Sequence, residues 1–188
     1  MTELTLAQRL RSGHVKRWHM VRVLREQTLA EHLMLVQIVA LEAADRFLVA
    51  TDTIADPKAF RMSVMEWSMW HDMPEVVTGD ISTPMKRFMA HSGVPELLHA
   101  IEKQVDGRFS ALDRSTSEIV KLIVKFADLY EAIHFLHWEG HGPRATEIER
   151  ELIGRMADHI KHTSDVMMGE LASIFDDMFE GMTYDSES

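Results

Sequence analysis

The chain has 188 residues, 46% of them hydrophobic, enough to bury the core of one domain, and a net charge of −10 that argues against gripping long nucleic acid through its phosphates. Cysteine is absent, which excludes disulfides, thiolate ligands and thiol nucleophiles, so any metal site must draw on the acids and the 11 histidines. No apolar run reaches the roughly 18–20 residues that span a bilayer, and the first residues lack the charged-then-apolar layout of a secretion signal; no membrane association is expected, and the expected setting is cytoplasmic.

The charge is unevenly placed. Residues 1–25 carry Arg9, Arg11, Lys16, Arg17, Arg22 and Arg25 against a single acid, Glu3, whereas acids predominate from Glu149 onward. A local basic patch in an acidic chain suits a small phosphorylated ligand better than DNA. Arg9 and Arg11 read as the solvated face of a first helix.

Helical periods follow one another with no period-2 strand, so residues 1–188 read as one all-α domain of about seven helices. A first helix covers 3–12 and closes at Gly13. A second runs from Thr28 to Phe47, with Thr28 and Glu31 spaced as a capping box. Asp56-Pro57 opens a third, as N-cap and first helical residue. It ends near Asp72, because Pro74 disfavours helical geometry at Met73. A helix near 95–105 stops before Gly107. Ser115 and Glu118 form a second capping box before a long apolar run to Trp138, stopped by Gly140. Pro143 opens a final helical stretch, one helix or two, to about Met178, and the tail from about 180 is frayed.

Three of these helices set an ionisable group among apolar neighbours. The second holds His32 before Leu33, Met34 and Leu35. The third ends in His71-Asp72 after Trp67, Met69 and Trp70. The long helix holds Asp128 between Ala127 and Leu129. A buried carboxylate requires a partner or a cation. Two carboxylates and two imidazoles from three helices make a divalent-metal shell of mixed N/O character, suited to Mn²⁺, Co²⁺, Fe²⁺ or Zn²⁺. Arg17 offers a planar fork of donors for phosphate, and Trp18 beside it offers a flat apolar wall on which a 2′-hydroxyl would lose its water partners. Glu75, three residues after the His-Asp pair, is placed to orient or deprotonate a metal-bound water, or to pass a proton to a leaving oxygen, and Asp80 is a second candidate. His134, His137 and His141 share a helix face at i, i+3 and i+7, but no carboxylates accompany them, and they read as structural.

The order His, His-Asp, distant Asp, each on a helix, resembles the HD-domain phosphohydrolase signature, and within it the YfbR-like 5′-deoxynucleotidases. The likeness rests on Arg17-Trp18 with Arg22 and Arg25, on Glu31-His32, on the run from His71-Asp72 through Glu75, Thr78-Gly79-Asp80, Ile81, Ser82 and Thr83-Pro84 to Lys86, and on Lys125-Phe126-Ala127-Asp128. It spans roughly residues 10–135. It implies an HD helical bundle and metal ligation by His32, His71, Asp72 and Asp128. Around that ion it implies a substrate site that also includes His32, Asp72 and Asp128. Arg17 would lie on the phosphate, Trp18 against the sugar, the loop Asp80, Ile81, Ser82, Thr83 on the nucleoside, and Lys86 near the phosphate. Glu75, Asp80 and Arg17 form the expected catalytic set. His19 stands where the bacterial enzymes have proline, and Pro74 falls inside the HDxxE stretch; both sit at the pocket rim and bear on substrate preference.

The implied reaction is metal-dependent cleavage of the bond between the 5′-oxygen and the α-phosphorus of a deoxynucleotide. Compact phage relatives of the family are dATP triphosphohydrolases, so the substrate is a monophosphate, a triphosphate or both, and a phage-borne enzyme would work in the host cytoplasm. A triphosphate tail would be met by Arg22, Arg25, Lys86 and Arg87, together with a second cation, Mg²⁺. The family and the apolar C-terminal stretch imply a homo-oligomer, a dimer or higher. The competing reading is a non-catalytic HD-domain nucleotide sensor, against which Glu75 and Asp80 speak. A cyclic-dinucleotide phosphodiesterase lacks its Gly-Tyr-Pro companion motif here.

Overall fold

A computed structural model describes residues 3–82, 85, 88–89, 97–165 and 168–184, with 97–99 and 183–184 described through the backbone alone. The described residues form helices and no strand. In chain order these are α1 Leu6–Arg9, continued by a 3₁₀ turn Leu10–Gly13, α2 Leu29–Ala50, α3 Pro57–Trp70, α4 Glu75–Thr78, α5 Leu97–Val105, α6 Gly107–Ser115, α7 Glu118–Glu139, α8 Pro143–Asp165 and α9 Gly169–Tyr184. No helix among the described residues is long and apolar enough to cross a membrane.

The core is organised around α7. Its run from Val120 to Leu136 buries Leu122, Ile123, Val124, Phe126, Ala127, Leu129, Ala132, Ile133 and Phe135, which exceeds the single stripe of a surface helix and requires cover on every side. That cover comes from α2, α3, α8 and α9. On α2 the buried residues Leu29, Leu33, Val36, Ala40, Ala43 and Phe47 alternate spacings of four and three, giving one continuous apolar seam. The ring of Phe175 from α9 stacks on Phe126 of α7 with centroids 4.2 Å apart and planes 3° from parallel.

Several boundaries depart from the sequence reading. The first helix is four α-residues and a tighter turn, started by a reciprocal cap between Thr5 and Gln8. Thr28 accepts from the Glu31 N–H, but the Glu31 carboxylate pairs with Arg25 instead of closing the box. The helix expected near 95–105 does stop before Gly107, as α5 at Val105, but α6 begins directly after it, where the Asp106 carboxylate accepts from the Arg108 N–H. As a result Ser115 ends α6, where its hydroxyl donates to the Leu112 carbonyl, and Ser117 rather than Ser115 is the N-cap of α7. The stretch opened by Pro143 takes the two-helix form, α8 and α9, and α9 continues past Met178 to Tyr184, so the chain is still helical beyond residue 180.

The cap assignment has a direct test. Ser117→Ala should lower the stability of the fold by about 1 kcal/mol in a denaturant titration. Ser115→Ala should cost less than about half of that, and the reverse order would restore the Ser115 box.

Candidate active site

His32 lies in the second turn of α2, His71 and Asp72 just past the end of α3, and Asp128 midway along α7. One donor atom from each of the four lies within 4.8 Å of the others. His32 Nε2 stands 3.5 Å from Asp72 Oδ2 and 3.6 Å from Asp128 Oδ1, and His71 Nε2 stands 3.5 Å from Asp72 Oδ2. Two ligands about 2.1 Å from a common ion at a tetrahedral angle sit about 3.4 Å apart, so these separations match a shared cation. His71 Nδ1 donates to the Ser68 carbonyl over 2.7 Å, and His32 Nδ1 faces Glu131 Oε2 at 2.6 Å, so both rings present Nε2 to the centre. Neither Nε2 has a hydrogen-bond partner, although both are buried. Two orphaned imidazole nitrogens beside two carboxylate oxygens fit a divalent metal.

The electrostatics agree. Burial opposes ionisation of Asp72, but His71, His32 and Arg17 outweigh it and hold the carboxyl well below its usual range. Asp128 is likewise depressed, burial being overcome by Lys125 and the two imidazoles. Its carboxylate is divided, with Oδ1 toward the centre and Oδ2 accepting from Lys125 Nζ at 2.7 Å. Burial lowers the pKa of His71, while His32, flanked by Asp72 and Glu131, is raised in spite of burial and Arg17.

Arg17 Nη1 lies 3.6 Å from Asp72 Oδ2, with a side chain only 10% exposed. Trp18 follows with φ at 61°, a left-handed value unusual for a residue with a side chain. Its indole stacks on Phe135 at 5.8 Å, 3° from parallel, and Nε1 donates to Gln27 Oε1 over 2.8 Å. The backbone is pinned by Arg17 N–H to the Gln27 carbonyl at 2.9 Å and Val21 N–H to the Trp18 carbonyl at 2.8 Å. On the opposite side Gly79, at φ 73°, ends α4 and turns the chain into Asp80.

These elements enclose a cleft of about 420 Å³. Asp72, Asp128, Arg17, Trp18, Glu75, Asp80, Ile81 and Ser82 all line it, as do His19 and Lys125. Its apolar wall is Met20, Val21, Leu129, Ala132, Ile148 and Leu152, and Arg144 and Arg155 of α8 complete it. Thr83, Lys86 and Arg87 lie outside the described residues. Arg25 belongs elsewhere, bound to Glu31 at 2.6 Å and Glu139 at 2.9 Å, and Arg22 does not line the cleft. Neither Arg22 nor Arg25, expected near a phosphate tail, is thus part of the cleft lining. Arg9 is not simply solvated, since its guanidinium lies 4.8 Å from the Trp70 ring centre. His137 faces Glu149 at 3.1 Å, and none of His134, His137 and His141 joins the four-residue cluster.

Glu131 and Gln27 escaped the sequence reading. The carboxylate of Glu131, buried at 3% exposure, receives Gln27 Nε2 at 2.5 Å on one oxygen and faces His32 on the other. The available signal was an acid one turn after Asp128 inside an apolar run. Ile148, Leu152 and Arg155 carried no signal, because they reach the cleft only through the antiparallel return of α8, fixed by His159 Nε2 on the Leu122 carbonyl at 2.9 Å.

The ligand assignment predicts that Asp72→Asn and Asp128→Ala each reduce bound metal far below one ion per chain, measured by elemental analysis after desalting, and abolish turnover. Full occupancy and near-full activity in either variant would show that the cluster is not the metal site.

Comparison with known proteins places the chain. Residues 4–134 match the model of the 5′-deoxynucleotidase YfbR-like family. A dATP triphosphohydrolase of Acinetobacter phage SH-Ab 15497 is 30% identical over 172 residues, covering 88% of this chain and 84% of that one. A 5′-deoxynucleotidase of Enterobacter sp. (strain 638) is 30% identical over 128 residues, covering 61% of each. Among solved structures, the cyanophage S-2L HD phosphohydrolase (DatZ), bound to dA and one catalytic Zn²⁺ ion, superposes with a TM-score of 0.81 at 26% identity, covering 97% of this chain and 99% of that one. With that match over most of its length and the same helical architecture, the chain belongs to the YfbR-like 5′-deoxynucleotidase family of HD-domain phosphohydrolases.

Proposed function

We propose that the protein is a metal-dependent deoxynucleotide 5′-phosphohydrolase that cleaves between the 5′-oxygen and the α-phosphorus, releasing deoxynucleoside with phosphate from a monophosphate or intact triphosphate from a triphosphate. The observation that carries this reading is one cleft lined by Asp72 and Asp128 of the four-donor cluster, by a buried arginine and by a tryptophan wall, with His32 and His71 behind the two carboxylates. His32, His71, Asp72 and Asp128 would hold a divalent cation, Zn²⁺ by analogy with the solved relative, which would supply Lewis acidity for activating water and for offsetting phosphoryl charge.

The remaining chemistry belongs to the chain's own residues. Arg17 directs its guanidinium at the α-phosphate, and its charge is secured by Asp72, Asp128, Asp80 and Glu131 in spite of burial. Trp18 packs against the deoxyribose, where a 2′-hydroxyl would lose water without gaining a partner. Glu75, buried at the cleft wall one turn after Asp72, takes the proton of the attacking water, and it or Asp80 returns a proton to the departing 5′-oxygen. Asp80, Ile81 and Ser82 face the nucleoside, whose base lies against Val21, Ala132, Ile148 and Leu152. Lys125 and Arg155, both in the cleft lining, supply positive charge for a polyphosphate tail, which a Mg²⁺ ion would accompany. The relatives named as dATP triphosphohydrolases favour dATP among the triphosphates and favour catalysis over the sensor reading.

Two measurements test this. Hydrolysis of a dNMP and dNTP panel in ¹⁸O-labelled water should place label only in phosphate or triphosphate, with no dADP on the way from dATP. Label in the nucleoside, or stepwise loss of phosphate, would overturn the cleavage site. Glu75→Ala should keep its metal and lose about 10²–10⁴ in rate. A loss below about tenfold would move the proton-transfer role to Asp80.

A further inference from the structure

A continuous buried chain of hydrogen bonds runs from the tryptophan wall to the metal cluster. Trp18 Nε1 meets Gln27 Oε1 at 2.8 Å, Gln27 Nε2 meets Glu131 Oε1 at 2.5 Å, and Glu131 Oε2 meets His32 Nδ1 at 2.6 Å. Gln27 and His32 are fully buried and Glu131 nearly so, so no water substitutes for a lost partner. The polarity of the chain is fixed by its members. An indole N–H can only donate and a carboxylate can only accept. Gln27 is therefore held with its oxygen toward Trp18 and its amide N–H toward Glu131. His32 is held with its proton on Nδ1, leaving the Nε2 lone pair for the cluster.

We infer that Gln27 and Glu131 are positioning residues that couple the sugar-facing indole of Trp18 to the metal-binding tautomer of His32, so that the deoxyribose wall and the metal site are set by one directional hydrogen-bond chain. Trp18 needs such an anchor, because its backbone is held at φ 61° and the outward ring face is useful only if the ring does not turn. Burial alone would not provide the coupling; the fixed donor–acceptor order does.

That order can be inverted and then restored. In Glu131→Gln the new amide can keep the His32 proton on its oxygen only by turning its N–H groups toward those of Gln27. Gln27 must then flip, which sets its N–H groups against the Trp18 indole. If the new amide instead points its N–H at His32, the ring must carry its proton on Nε2 and can no longer ligate. Every arrangement loses the metal ligand or the indole anchor. Adding Gln27→Glu removes the conflict: the new carboxylate accepts from Trp18 and from the amide at 131, whose oxygen accepts from His32.

The experiment measures Zn²⁺ affinity of the full chain against a chromophoric chelator, and the ratio of kcat/KM for deoxy and ribo forms of one nucleotide. Glu131→Gln should weaken Zn²⁺ binding by about 10- to 100-fold and shrink the deoxy preference. The Gln27→Glu/Glu131→Gln double variant should recover both, the metal affinity only in part because the negative charge lies one residue farther from His32. An unaltered single variant, or a double variant no better than the single, overturns the coupling. If Glu131→Gln does not fold, Trp18→Phe decides, since it removes the indole N–H while keeping an aromatic ring against Phe135 and leaving Gln27, Glu131 and His32 unchanged: Zn²⁺ affinity should fall by about threefold or more although Trp18 is no ligand, and an unchanged affinity overturns the coupling. The sugar readout rests on the reading of Trp18 as the sugar wall. The Zn²⁺ titrations need no substrate, so a failure of that reading is distinguishable from a failure of the chain.

Discussion

An ionised carboxylate moved from water into a helical interior must be met by opposite charge or by hydrogen-bond donors, and Asp72 and Asp128 impose that demand on the whole molecule. Each lies beside the other and beside two imidazoles, in a cluster whose atoms fall within 4.8 Å. Arg17 and Lys125 meet part of the charge from the rim. Glu131 adds a third carboxylate behind His32, at the Nδ1 position from which an acid orients a metal-ligating imidazole. Much of the surrounding sequence, from the cap of α2 to the turn after α3, serves to deliver these groups to one point.

The segment between α1 and α2 answers a second constraint. It has no regular structure apart from isolated bridges, Lys16 to Thr28 and Val23 to Gly140, yet it carries Arg17 and Trp18, both of which line the cleft. Its rigidity comes from backbone hydrogen bonds to Gln27 and to the end of α7, with Leu24 N–H on the Glu139 carbonyl and His141 N–H on the Arg22 carbonyl. Arg25, held by Glu31 and Glu139, ties the same segment to α2 and α7. A basic patch that looked like ligand-binding charge is in part this fastening, and only Arg17 among those arginines faces the cleft. Loops that carry function are commonly positioned in this way by a stiff scaffold.

The C-terminal helices divide the work differently. The match to the family model ends at residue 134, within α7, whereas α8 closes the far wall of the cleft with Ile148, Leu152, Arg144 and Arg155. The four-residue cluster and Arg17-Trp18 thus lie inside the family-matched stretch, and much of the wall beyond them lies outside it. Apolar walls discriminate among bases weakly, by about 1–3 kcal/mol per methylene-sized difference, so changes along α8 can retune preference without touching the chemistry.

The sequence by itself determined the helical class, the location of most helices and the identities of the four cluster residues, because apolar periodicity and acid–imidazole groups inside apolar runs are local signals. Local pattern also misled where two local readings competed. Ser115 and Ser117 both precede an apolar run, and only the packing of α6 decides which one caps α7. Arg25 and Arg17 look alike in sequence, and the pairing of Arg25 with Glu31 and with Glu139, 114 residues away, sets it apart from the cleft. Gln27 was indistinct for the same reason: its partner Glu131 is 104 residues distant, so neither end of that bond marks the other in the sequence. Hydrogen bonds and charge pairs between distant segments depend on how helices are set against one another, and the burial that sets them is non-directional. The long-range partners of Gln27, Arg25 and Glu131 were therefore set by helix packing, which leaves no local mark of the kind that surrounds the four cluster residues.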